Sequence, residues 1–258
     1  MLKKRLIGVV TVRQGWAVQS FGYSRYLPLG KPEVLIENLD RWGADEIFIQ
    51  CIDRSPAQTG PDLTLLKRVG ALGISTPLIY GGGIRHVGDA VKVVSLGADR
   101  ISVDSMLWDS PQKLESIARE LGTQALIANM PVRVLENGLS WRNYCSHEEV
   151  SLSDKVLARL HLEWVSEVML SDWEHEGVVG GFDPRIPELF PLATKPLIVF
   201  GGLSESAQLR DVISKPNVVA AGVGNFLSYK EHAIQQIKQQ MFGIPIRAAQ
   251  YAEEGNEL

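Results

Sequence analysis

Cysteine is nearly absent from this 258-residue chain, with Cys51 and Cys145 the only two. Two thiols cannot build a disulfide framework or a cysteine-rich metal site, so reduced thiols in a cytoplasmic protein are expected. Long apolar runs are missing too. None approaches the ~20 residues that span a bilayer, and no membrane partner is expected. With a net charge of −4 the chain has no cationic excess to draw nucleic acid, and no nucleic-acid partner is expected. His86, His147, His161, His175 and His232 show no metal-ligand spacing, and neither a metal nor a cofactor is expected. Low-complexity segments and linkers are absent. The first residues, Met1-Leu2-Lys3-Lys4-Arg5, run into a short apolar stretch that meets Thr11 and Arg13, which reads as a strand and not as a signal peptide.

What the chain does have is a statement made twice. Ile79-Tyr80-Gly81-Gly82-Gly83 is an apolar strand running into glycines, and Val199-Phe200-Gly201-Gly202 repeats it, with Gly81 and Gly201 120 positions apart. Ala44-Asp45-Glu46-Ile47-Phe48-Ile49 answers in the same way to Val165-Ser166-Glu167-Val168-Met169-Leu170. That period is too long for a solenoid unit of about 20–50 residues and implies a domain of two similar halves. Short apolar runs over 6–12, 46–52, 77–80, 100–103, 125–129, 167–172, 197–200 and 218–223 predict strands. Between and after them, 32–42, 62–72, 87–96, 111–121, 152–162, 187–192, 206–213 and 229–241 read as helices. Eight such units in one chain of this length predict an α/β fold, a single (β/α)8 TIM barrel over 1–258 with half-barrels of about 1–122 and 123–244. Three long loops, 13–31, 53–61 and 131–150, follow strands and so sit at the carboxyl face. The third carries Trp141, Arg142, Asn143, Tyr144 and His147 and reads either as a lid or as a surface excursion.

The two halves and the glycines after strands three and seven resemble the histidine-biosynthesis barrels. The opening Met1-Leu2-Lys3-Lys4-Arg5-Leu6-Ile7 narrows this to the cyclase subunit of imidazole glycerol phosphate synthase. So do Gly81-Gly82-Gly83-Ile84, Gly97-Ala98-Asp99-Arg100 with Ser102, and Gly177 followed by Gly181-Phe182-Asp183. The match runs from about residue 2 to residue 244. The resemblance implies a HisH-like glutaminase partner on the amino-terminal face. Ammonia would then travel along the barrel axis to a ribulosyl aminoimidazole carboxamide nucleotide, with two aspartates at the ends of strands one and five as acid and base. It also implies phosphate loops in both half-barrels, which here fall on Gly82, Ser105, Gly177, Gly202 and Gly224.

The catalytic positions depart from that pattern. Thr11 stands at the end of strand one and Met130 at the end of strand five. A threonine hydroxyl exchanges protons poorly near neutral pH and a thioether has none to exchange. Cys51 replaces the strand-two aspartate, with Asp53 two residues further on; Gln19 replaces the first-loop lysine; Asp104 replaces an asparagine. An extra carboxylate at Asp104 repels a phosphate. The second-half anion loop is therefore expected to be the better supported of the two. Glu174-His175-Glu176 is a dense polar run that reads as a dyad or as an exposed loop.

The opposite end keeps its charges. The family's ammonia gate is a ring of arginine, glutamate, lysine and glutamate; here the residues are Arg5, Glu46, Arg100 and Glu167, with Asp99 at a partner-facing position. The first reading is thus a HisF-like subunit that binds a glutaminase and passes ammonia to another acceptor, with cyclase chemistry lost. By resemblance, that acceptor belongs to a sugar amidotransferase making acetamidino sugars for surface polysaccharide such as O-antigen. A second reading is an active cyclase or a divergent phosphosugar lyase using Asp53, Asp104 or Glu174. A third is a purely structural binding barrel.

Overall fold

The eight expected strands form because nearly every residue in them is buried, with one side chain facing the barrel lumen and the next facing the surrounding helices. The computed structural model describes residues 3–192 and 194–249. Met1 and Leu2 of the opening motif, and the end of the expected 1–258 domain, lie outside the described residues. The described residues form twelve strands: β1 (Arg5–Arg13), β2 (Trp16–Phe21), β3 (Arg25–Gly30), β4 (Glu46–Cys51), β5 (Leu78–Gly81), β6 (Arg100–Val103), β7 (Leu126–Leu135), β8 (Gly138–Asn143), β9 (Glu148–Ser151), β10 (Glu167–Asp172), β11 (Leu197–Phe200) and β12 (Val218–Val223). Eight of them close in the order β1-β4-β5-β6-β7-β10-β11-β12 and back to β1, each neighbour parallel. This is a (β/α)8 TIM barrel.

The outer layer holds α1 (Pro32–Arg41), α2 (Leu63–Gly70), α3 (Val87–Ser95), α4 (Met106–Asp109), α5 (Gln112–Leu121), α6 (Asp154–Arg159), α7 (Ile186–Leu189), α8 (Ser206–Ser214) and α9 (Ala233–Gln239). Their starts follow local chemistry. Pro32 opens α1, and the Asp62 carboxylate accepts from the Leu65 amide at 2.9 Å to cap α2. The helix expected over 187–192 shrinks to the single turn of α7, and that over 152–162 to α6. Among the described residues no helix is long and apolar enough to cross a membrane.

The other four strands correct two of the expected loops. Residues 13–31 fold as the hairpin β2–β3, joined to β1 by a two-residue turn, Gln14-Gly15, with φ of 52° and 77°. Both positive values match a type I′ connection. Residues 131–150 are mostly the outward continuation of β7 with β8 and β9. Asn137-Gly138 before an apolar–polar alternation is the signal that identifies the second hairpin.

Candidate functional site: the two ends of the barrel

At the amino-terminal rim, β1, β4, β6 and β10 each begin with a charged residue in the inward register. The four side chains meet. Arg5 Nη2 lies 2.7 Å from Glu167 Oε2, and Arg100 Nη1 lies 2.8 Å from the same oxygen. Glu46 completes the ring, 3.0 Å from Arg5 Nε and 3.3 Å from Arg100 Nη1. Each arginine therefore touches both glutamates. The Arg5 Nε–Glu46 contact is Coulombic, since neither atom has an aligned hydrogen bond. Burial works against the Arg5 charge, but Glu46 and Glu167 outweigh it and raise its affinity for the proton. Burial lifts the Glu46 carboxyl above the ordinary range against the pull of both arginines. Arg100 is braced by the Ser166 hydroxyl at 3.0 Å and the Gln124 carbonyl at 3.2 Å. Exposed Asp99 beside the ring accepts from the Leu78 amide at 2.8 Å, as Asp45 does from Leu6 at 2.8 Å.

Above the ring the lumen is apolar, filled by Ile7, Val9, Phe48, Ile79, Ile127, Met169, Ile198, Phe200 and Ala220. Above that layer it turns polar. Gln50, Ser102, Asn129 and Ser171 are buried there, and the Ser171 hydroxyl donates to Asn129 Oδ1 at 2.7 Å. Two tyrosines close the mouth, one from each hairpin. Tyr23, at the β2–β3 tip with φ of 51°, packs on the apolar layer and accepts from Gln50 Nε2 at 3.4 Å. Tyr144, from the β8–β9 turn, hydrogen-bonds Asp104 and Ser55. Burial pushes both phenols well above their ordinary range. Between the hairpins lies a space of about 530 Å³ lined by Tyr23, Tyr26, Gln50, Asn129, Pro131, Arg142, His147 and Trp173 among others. The Arg142 guanidinium sits 4.4 Å from the centre of a Trp173 ring.

Met130 is not at the mouth. It is fully buried in the outer core with Ala128 and Val132, and the residues of that strand that face the mouth are Asn129 and Pro131. Strand alternation puts neighbours on opposite faces, so a one-residue change of register exchanges them. The conclusion about chemistry survives, because Pro131 has no titratable group. Thr11 is buried. Asp53 does not reach the lumen; it accepts from the Gln14 amide at 2.8 Å and pins the first turn. Glu174 points to Arg133, 3.8 Å away, on the rim. Asp172 and His175 do pair, at 2.9 Å, but Asp172 also accepts from the His175 and Asp183 amides and so organises the loop it begins. Of the carboxylates proposed as replacements, Asp104 alone belongs to the polar layer at the mouth, and burial raises its carboxyl above the usual range.

The glycine loops serve close chain approach. A Cβ on Gly177, at φ of 82°, would lie 2.3 Å from the Ser20 carbonyl, and one on Gly202, at φ of 77°, would lie 2.7 Å from the Phe182 nitrogen. The space between Gly177, Gly202 and Gly224 is only about 20 Å³ and has Glu176 in its wall. The first-half space beside Ser105 and Gly83 is about 270 Å³ and is lined by Arg85 and Lys113 as well as Asp109. The larger space, with Arg85 and Lys113 in its wall, thus lies in the first half.

Glu176 carries more than its position in a polar run suggests. Its Oε2 accepts from the Ser20 hydroxyl at 2.9 Å and the Tyr23 amide at 3.2 Å, holding the first hairpin over the mouth. Burial raises its carboxyl. A raised acid adds stability below the unfolded-state value of about 4.3 and loses it as pH rises through the folded value. Glu176→Gln keeps both accepted bonds without the charge. It is expected to raise the urea midpoint at pH 7, with the gain vanishing towards pH 4.

Over residues 5–233 the chain matches the family described as histidine biosynthesis protein. The chain belongs to this family. Among its relatives in the family are imidazole glycerol phosphate synthase HisF subunits, and it is a divergent, HisF-like member. It is 27% identical to the subunit of Phocaeicola vulgatus over 254 residues, 96% of this chain and 100% of the relative. It is 28% identical to that of Bacteroides fragilis and 26% identical to that of Bacillus pumilus, each with the same coverage. Similarity from end to end at about a quarter identity fits a shared barrel whose side chains have diverged.

Proposed function

We propose that this chain is the barrel subunit of a glutamine amidotransferase assembly in the cytoplasm. A glutaminase docks on the amino-terminal face at Asp99 and the charged ring, and ammonia passes through the lumen to an acceptor at the mouth. The ordinary cyclase chemistry is lost. The observation that carries this reading is the closed Arg5–Glu46–Arg100–Glu167 ring beneath an apolar lumen. An apolar path favours neutral ammonia over ammonium, because a bare charge is costly to bury. The loss of cyclase chemistry is supported by Thr11 and Pro131, neither of which can serve as an acid–base pair. By its resemblance, the acceptor is a sugar amidotransferase that makes acetamidino sugars for surface polysaccharide such as O-antigen. A phosphorylated ligand would sit at the first-half loop, beside Arg85 and Lys113.

Mixed with its glutaminase, the chain is expected to raise glutamine hydrolysis. Supplied with ammonium and the ribulosyl aminoimidazole carboxamide nucleotide, it is expected to give no imidazole product. Measurable turnover of that nucleotide would overturn the reading.

A further inference from the structure

At the top of the lumen, where the apolar layer ends, a space of about 10 Å³ remains between β4, β5, β6 and β7. That is room for one water-sized molecule. Phe48, part of the apolar layer, belongs to its wall, as do Gln50, Ser102, Asp104, Asn129 and Tyr144.

This wall is rich in acceptors. Gln50 is 8% exposed, and its Oε1 is buried without a hydrogen-bond partner while its Nε2 is engaged with Tyr23. A buried carbonyl left unpaired is costly, so an orphan of this kind marks a missing donor. Asn129 Oδ1 accepts from Ser171 and keeps a second lone pair. The Asp104 carboxylate meets the Ser105 amide and hydroxyl and the Tyr144 hydroxyl, all of them neutral. A partly buried anion met by neutral donors, next to an orphan carbonyl, fits a small cation with several N–H groups.

We propose that this space is a binding site for one ammonium ion, the station at which ammonia leaving the lumen is held by Asp104 and Gln50 before delivery at the mouth. The inference rests on the conduit reading above. Ammonia leaving the lumen takes a proton from water at the mouth, and the resulting ammonium pairs with the Asp104 carboxylate beside Gln50. Loss of that proton back to water releases ammonia. Size excludes methylated amines. Glu176 and the Asp172–His175 pair belong to other contacts and do not line this space.

The test uses the full chain alone. Thermal unfolding is followed in ammonium, potassium, sodium and tetramethylammonium chloride at equal ionic strength. Ammonium is expected to raise Tm saturably over sodium, and tetramethylammonium is expected to match sodium. Asp104→Asn and Gln50→Leu are each expected to move half-saturation at least ten-fold higher. A variant whose Tm in sodium falls below that of the parent is set aside and the other is read. If both fall, saturable ammonium binding by the parent chain decides. The proposal is overturned if ammonium behaves as sodium, or if potassium matches ammonium, which would make this a general monovalent-cation site. Ammonium binding without transfer from a glutaminase would leave the site standing and sink the conduit. Transfer without ammonium binding would do the reverse.

Discussion

Glu167→Ala is expected to cost about 3 kcal/mol of stability and to uncouple ammonia transfer. Removing one member of a buried ion pair typically costs 3–5 kcal/mol, because the partner is left charged and unpaired. Glu167 Oε2 is the shared acceptor of Arg5 and Arg100, at 2.7 and 2.8 Å, so its loss leaves two cations sharing the single carboxylate of Glu46. The lower end of the range applies because the Arg5 side chain is 28% exposed and can recover some hydration. Urea unfolding measures the stability term. On the proposed function, the fraction of glutamine nitrogen reaching the acceptor should fall while glutamine hydrolysis continues. Unchanged stability together with unchanged transfer would show that the ring is only a rim of solvated charges. Glu167→Gln is the control, since it keeps an acceptor without the charge and should lie between the two.

Gly82→Ala is expected to prevent stable folding, with a loss above about 4 kcal/mol, a size confined to a few mechanisms of which backbone strain is one. Gly82 has φ of 120°, and a Cβ there would lie 2.2 Å from the Cys51 carbonyl oxygen. The neighbour is backbone of an adjacent barrel strand and cannot swing aside. Gly15→Ala provides the contrast. Its φ is 77°, but nothing lies within 4 Å of the added carbon, so only the left-handed backbone penalty of roughly 1–2 kcal/mol applies. Soluble yield and urea midpoints of the two variants read the difference directly. A Gly82→Ala protein as stable as the parent would mean that the loop after β5 is not built against β4.

The glycine turns that announce the two halves thus have a structural use independent of any phosphate. Gly82, Gly83, Gly201 and Gly202 all hold φ between 72° and 120°. Their spacing was legible because a barrel repeats the same strand-to-loop corner, and no side chain fits that corner.

The sequence by itself determined the eight barrel strands, since segments buried on both faces read as unbroken apolar runs. It also determined the family and the alternation that brings Arg5, Glu46, Arg100 and Glu167 to one rim, because a charge at a strand start has only two faces to choose from. It could not determine the mouth. Whether Met130 or Pro131 faces the lumen depends on a one-residue register, set by the pairing of β7 with β6 and β10. That Glu176 and not Glu174 turns inward depends on the first hairpin, more than 150 positions away in the chain, folding onto it. That Tyr23 and Tyr144 close over Gln50 and Asp104 depends on two hairpins meeting above the barrel. Local periodicity sees only neighbours in sequence, whereas the ends of a barrel are built from residues that become neighbours only when the sheet closes.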